Sequence, residues 1–163
     1  MDIRARSEAG AASDAHRLAD LLAAQAARGE PIAWSPGLSV GVDSIDGQHR
    51  VLIAYINQLS GAISRAQSGA LLGQVLAGLE GYTRLHFQFE ERLFDRLGWQ
   101  AGAEHAQGHR MFERQLADFR ARFAAGDTEV AASVLSFLVH WLAGHILVDD
   151  LSYSDFMREH AVR

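Results

Sequence analysis

Residues 86–109 read HFQFEERLFDRLGWQAGAEHAQGH, setting His86 and Glu90 four residues apart and then His105 and His109 four apart. Four residues make about one turn of an α-helix, so each pair shares a helix face. Gly98 and Gly102 break the pattern between the pairs. Leu93 and Leu97 continue the line of His86 and Glu90, while Phe112, Leu116, Phe119 and Phe123 continue that of His105 and His109. The stretch reads as the end of one helix, a short connection and the start of another, with polar side chains where Leu or Phe is expected.

The same pattern extends in both directions. A helix from about Ile45 to Gln67 repeats His49, Leu52, Ile56, Leu59 and Ile63 at spacings of three and four. The helix that ends near Leu97 starts near Leu71 and carries Leu72, Leu76, Leu79 and Thr83 ahead of His86. A third runs from about Ala103 to Ala125. A fourth starts near Thr128, with Asp127 as a candidate N-cap, and carries Val134, Leu138, Trp141, His145 and Val148. Amphipathic helices of this length joined by short loops predict an all-α, up-down-up-down antiparallel four-helix bundle spanning 34–163. Ahead of it, residues 1–33 form an N-terminal extension. Residues 1 to about 12 read as disordered, and Ser13–Arg28 as a short Ala-rich helix with Leu18, Leu21 and Leu22 as its apolar stripe. GEPIAWSPGLSVGVDS (29–44) holds both prolines and breaks the helical pattern.

Composition narrows the chemistry. At 163 residues and 48% apolar content the chain can build one substantial core. It has no cysteine, which excludes disulfides, thiolate metal sites and cysteine nucleophiles. Net charge is -5, and the 15 basic residues, all Arg, are scattered, so nucleic acid is not an expected partner. The N-terminus lacks the apolar core of a signal peptide and no later segment is expected to span a bilayer, making cytoplasmic residence the default expectation.

His49, His86, Glu90, His105, His109 and His145 come from all four helices and each occupies a place on an apolar stripe. A buried ionisable group is costly unless it is paired or bound to a metal. One such histidine is ordinarily a hydrogen-bonded core residue, whereas this many call for a common partner. Imidazole and carboxylate without thiolate suit iron, zinc, copper or manganese. Zinc is generally satisfied by four ligands, so the number of candidates suits two ions bridged by carboxylate. A site rich in histidine and poor in carboxylate favours reduced, diferrous iron, and so reversible oxygen binding over oxygen activation.

The stretches VGVDSIDGQHRVLIAYINQL (40–59), YTRLHFQFEERLF (82–94), HAQGHRMF (105–112) and WLAGHILVDDLSY (141–153) resemble the hemerythrins, specifically the bacterial ones, in order and in spacing. The similarity runs from about Trp34 to Met157. It implies two iron ions (Fe2+/Fe3+) with an oxo or hydroxo bridge. His105, His109 and His145 would hold one iron and His49 and His86 the other, with Glu90 and Asp150 bridging. It further implies O2 as the ligand, at an open position on the His49/His86 iron, and a binding protein, not an enzyme. Phe87, Trp141, Leu142 and Ile146 match the family's apolar pocket. A di-iron oxidase, a peroxidase or a nitric-oxide-handling enzyme is the alternative on the same ligands.

The chain departs from the family at Gly47, where an acidic residue is common, and at Phe94 and Trp99, which replace Met and Tyr. Gly47 is expected to weaken the first helical turn, and the two aromatics to alter pocket access. Asp150 is five residues after His145, about 140° around an ideal helix, while Asp149 is only about 40° away. The resemblance selects Asp150 and so implies a distorted helix there. His16, His140 and His160 read as surface or packing residues and Glu91 as a surface charge. The extension, with its leucine stripe, is expected to pack on the bundle, or to serve self-association or a partner protein.

Overall fold

The computed structural model describes residues 3–160 and 162, and all regular structure among them is helical. Helices α1 (Ile3–Ala27), α2 (Asp43–Ser64), α3 (Ser68–Leu97), α4 (Gly102–Ala124) and α5 (Val130–Gly144) are followed by a π-helical segment (His145–Asp150) and α6 (Leu151–Glu159). The last three form one continuous rod. Helix α2 packs on α3 and α5, and α4 packs on α3 and α5, so the four close into an antiparallel ring.

Local sequence explains the breaks. Asp43 and Asp46 stand in the first turn of α2, where carboxylates favour the exposed N–H groups. Asp46 is also buried, and it accepts from Ser39 Oγ at 2.5 Å and the Val40 N–H at 2.9 Å, tying the entering chain to the helix. Gly98 ends α3 in the left-handed region (φ 73), its N–H donating to the Phe94 carbonyl. Gly47 does not interrupt α2. The apolar stripes of α2 to α5 meet in a core that includes Leu52, Ile56, Leu59, Leu72, Leu76, Leu79, Phe112, Leu116, Val134 and Leu138.

Several sequence expectations shift. Helix α5 starts at Val130, because Asp127 caps the turn before it, accepting from the Glu129 N–H at 2.9 Å. Helix α1 begins at Ile3, well before Ser13, and takes in most of the stretch expected to be disordered; residues 1 and 2 lie outside the described residues. It lies along α5, touching the π-helical segment and α2, with Ala19 and Ala26 buried and Leu21 exposed. Ser60 Oγ donates to the Ala26 carbonyl at 2.6 Å, and Asn57 clamps both the N–H and the carbonyl of Ile32 at 2.8 Å. The expectation that no segment could span a bilayer also needs correction. Val130–Glu159 is long and apolar enough to do so by length and composition, and 56% of its apolar window is buried inside the fold. Two apolar faces, one toward the bundle and one toward α1, make this helix so apolar.

Candidate metal centre

Helices α2, α3 and α4 and the π-helical segment that continues α5 aim seven polar side chains at one point in the bundle. His49, His86, Glu90, His109, His145 and Asp150 are at most 2% exposed and His105 is 9% exposed. One donor atom each from Glu90, His105, His109 and His145 lies within 4.8 Å of the others, and the same holds for His49, His86, Glu90 and Asp150. Imidazole nitrogen binds such ions at about 2.0–2.1 Å, which puts opposite donors roughly 4 Å apart. Each set is therefore on the scale of a single ion, and Glu90 belongs to both.

Asp150 faces both sets. Its Oδ1 lies 3.4 Å from His105 Nε2 and 3.2 Å from His145 Nε2, while Oδ2 lies 2.9 Å from His49 Nε2. The π-helical turn is what brings it there. Its hydrogen bonds run from residue i to i+5, as when the Leu151 N–H donates to the Ile146 carbonyl, so residues five apart are close to one turn apart. The angle that disqualifies Asp150 on an α-helix does not apply. Asp149, at 51% side-chain exposure, instead has Oδ2 3.6 Å from the outer nitrogen of His145, Nδ1.

Glu90 Oε2 lies 3.1 Å from His109 Nε2, 3.4 Å from His105 Nε2 and 3.8 Å from His145 Nε2. Its other oxygen accepts a hydrogen bond from the Tyr153 hydroxyl. Behind the rings, His86 Nδ1 donates to Gln48 Oε1 at 2.6 Å, and Gln48 offers its own backbone carbonyl to Tyr82 at 2.7 Å. His109 Nδ1 donates to Glu91 Oε1 at 3.0 Å, and Arg110 holds both oxygens of Glu91. Glu91 is thus not a plain surface charge: the α3/α4 crossing turns it toward His109.

Burial sets the protonation states. It lowers His49 and His86 to about 4 and His145 to about 3, so these rings are neutral with a lone pair to offer. Burial alone would raise the Glu90 carboxyl, but His86, His105 and His109 around it hold it well below the usual range. Asp150 is pushed well up by burial and by the Glu90 charge. Burial likewise raises Tyr153, keeping it a phenol that donates.

These atoms fit a metal pair better than they fit one another. Both ring nitrogens of His49 and His145, Nε2 of His86 and His109, and both oxygens of Asp150 are buried without a hydrogen bond. Each such group costs about 1–3 kcal/mol, and coordination to a cation removes that penalty for the inward Nε2 atoms and the Asp150 oxygens.

An aromatic and aliphatic wall surrounds the cluster. Phe87 stacks on His109 (centroids 4.0 Å, planes at 8°) and Trp141 on His145 (4.1 Å, 21°). Leu142 and Ile146 are buried on either side of His145 in the chain. Leu52, Phe112, Trp141 and Leu142 help to line a small apolar cavity. Leu52, Phe112 and Leu142 each stand three residues from His49, His109 and His145 respectively, so the cavity caps the cluster about one turn along the bundle. Phe94 and Trp99 pack around His105 and Tyr153 instead, with Phe94 5.0 Å from the His105 ring. His16 and His160 are exposed, and His140 lies against α1, 3.4 Å from Asp20.

Sequence reading did not assign Gln48, Glu91 or Tyr153 to the site. Tyr153 gave the best signal, lying eight residues after His145, a spacing that keeps it on the inner face. A buried phenol on such a face ordinarily finds a polar partner.

Comparison with known proteins places these features in a family. Residues 40–155 match the family described as Hemerythrin HHE cation binding domain. The chain is 36% identical to a bacteriohemerythrin of Stenotrophomonas maltophilia (strain R551-3) over 129 residues, 79% of this chain and 83% of the relative. It is 35% identical to a bacteriohemerythrin of Pseudomonas aeruginosa (strain LESB58) over 78% of this chain and 82% of the relative. A hemerythrin-like protein of Naegleria gruberi is 28% identical over 76% of this chain and 91% of its own. A crystal structure of a leucine-to-phenylalanine mutant superposes with a TM-score of 0.67 at 26% identity, covering 76% of this chain and 95% of the other.

Proposed function

Because this chain belongs to the hemerythrin family, with a buried histidine and carboxylate cluster suited to a pair of metal ions, we propose that it binds O2 reversibly at a non-haem di-iron centre. His105, His109 and His145 would hold one iron and His49 and His86 the other, with Glu90 and Asp150 as the carboxylates shared between them. When bound, the ferrous pair supplies the electrons that make O2 binding reversible. The chain's own residues do the rest.

The carrying observation is an imbalance in donors beside an apolar space. Glu90 and Asp150 are common to both positions, so three histidines against two leave the His49/His86 position one protein donor short. Leu52 and Leu142, on the cavity that caps the cluster, are the side chains that exclude water from a small apolar ligand there. Tyr153 keeps one Glu90 oxygen occupied, fixing the carboxylate's orientation. Residues 1–33, whose helix α1 lies along α5, are read as an extension added to the bundle of residues 34–163.

The test is the absorption spectrum of iron-loaded, reduced protein before O2, after O2 and after its removal. A visible band that appears and disappears with O2 supports the reading. Metal analysis returning a single zinc per chain, with no visible band, ends it. Rapid irreversible oxidation with peroxide release would favour the enzyme alternative.

A further inference from the structure

The two sides of the cluster differ in what stands behind the rings. His109 donates from Nδ1 to the Glu91 carboxylate at 3.0 Å, and His145 Nδ1 lies 3.6 Å from the Asp149 carboxylate. His86 Nδ1 meets only the neutral amide oxygen of Gln48, at 2.6 Å. Among the described residues, His49 and His86 approach carboxylates through Nε2, the inward nitrogen. Among the described residues, a carboxylate facing an outer ring nitrogen is thus found behind one position only, while the buried Asp46 acts on His49 through its charge alone. Arg110, bonded to both Glu91 oxygens at 3.0 and 2.9 Å, fixes that carboxylate's orientation toward His109.

We propose that Glu91 is a positioning residue that makes the His105/His109/His145 position the tighter of the two, while Gln48 leaves the His49/His86 position the weaker. This rests on the two-metal reading of the site. Carboxylate and amide both fix the tautomer, since either accepts the Nδ1 hydrogen and leaves the lone pair on Nε2. Only the carboxylate also raises the ring's basicity and adds a negative charge near the cation. The third histidine already favours the same position, so the contribution of Glu91 must be isolated by substitution. The Gln48/Glu91 pair allows this, because the two side chains have the same length, differ chiefly in charge and play the same part on opposite sides.

The full-length chain is loaded with Co2+ and back-titrated with a chelator, giving two stepwise constants. Paramagnetically shifted imidazole N–H resonances report which position empties. In wild type the resonances of His49 and His86 disappear first. Glu91→Gln lowers the affinity of the His105/His109/His145 position by about 10–100-fold and speeds exchange of the His109 Nδ1 proton, with little change at the other position. Gln48→Glu acts in the opposite sense, tightening the His49/His86 position. A role in folding alone would weaken both positions together in Glu91→Gln and give no gain in Gln48→Glu, and that result overturns the proposal. Two Co2+ per chain with unchanged constants in Glu91→Gln overturns it while leaving the two-metal site intact. Uptake of fewer than two Co2+ by wild type overturns the two-metal reading and this inference with it.

Discussion

Asp150 sits one π-helical turn after His145, its Oδ1 3.2 Å from His145 Nε2, whereas Asp149 approaches the same ring from outside at 3.6 Å. Adjacent aspartates therefore have unequal consequences. Asp150→Ala should remove the proposed bridge, so that iron content falls well below two per chain and the oxygenated spectrum is lost, with helical content preserved. Asp149→Ala removes only an outer partner and should weaken metal retention, by roughly 10-fold or more, without abolishing the spectrum. Iron analysis and spectra of both variants check this. The reverse order of severity would show that the π-helical turn does not govern which carboxylate is used.

That pair also shows where sequence reading stopped. His49, His86, Glu90, His105, His109 and His145 were legible because each replaces a Leu or Phe on a stripe whose period the whole helix repeats. Asp150 lay off that period, and only the resemblance pointed to it, since a π-helical turn has no hydrophobic signature of its own. Gln48 and Glu91 were invisible for another reason. Their bonds cross from one helix to the next, and a pattern along one helix carries no information about that crossing. The bundle itself was legible from periodicity, whereas the start of α1 was not, because an Ala-rich run makes almost no stripe.

Tyr153 is the only hydrogen-bond donor that reaches the outer oxygen of Glu90 among the described residues. Tyr153→Phe keeps the ring against Phe94 and Trp99 but leaves that buried oxygen unpaired. The expected cost is about 1–3 kcal/mol, a fall of several degrees in Tm for a domain of this size. Thermal unfolding followed by circular dichroism checks it, and an unchanged Tm would mean that the bond contributes nothing to stability.

Leu142 is buried on the apolar cavity beside Trp141. Leu142→Asn places an amide there and admits water, so the oxygenated form should autoxidise several-fold faster at unchanged iron content. Decay of the visible band at matched iron loading measures this. Equal decay rates in the variant and wild type would remove the cavity from the mechanism.

Gly47 lies inside the first turns of α2, and a Cβ built there meets nothing within 4 Å. Its cost is then the backbone freedom it gives the unfolded chain. Gly47→Ala should stabilise by about 0.5–1 kcal/mol, leaving metal content and spectrum unaltered. Chemical denaturation reads the change directly, and a destabilised variant would show that the position needs glycine for a reason other than space.

The buried histidines predict how metal-free protein responds to acid. Burial lowers His49 and His86 to about 4 and His145 to about 3, against an ordinary histidine value of 6.5. Below about pH 6.5 the unfolded chain takes up these protons while the folded chain does not, so acid favours unfolding. The contribution is complete above about pH 6.5 and is lost as pH falls toward 4. Glu90, held low, acts in the same direction, and Asp150, pushed up, acts against it. Glu90 adds its part only below about pH 4.5, so between about pH 6.5 and 4 the three histidines set the sign and the metal-free protein loses stability on acidification. Bound metal holds the same rings in the unprotonated form, so the iron-loaded protein should resist acid to a lower pH. Melting curves of chelator-treated and iron-loaded protein from about pH 8 down to about pH 4 separate the two. A Tm for the metal-free chain that stays level or rises on acidification would show that the rings are not buried as neutral bases.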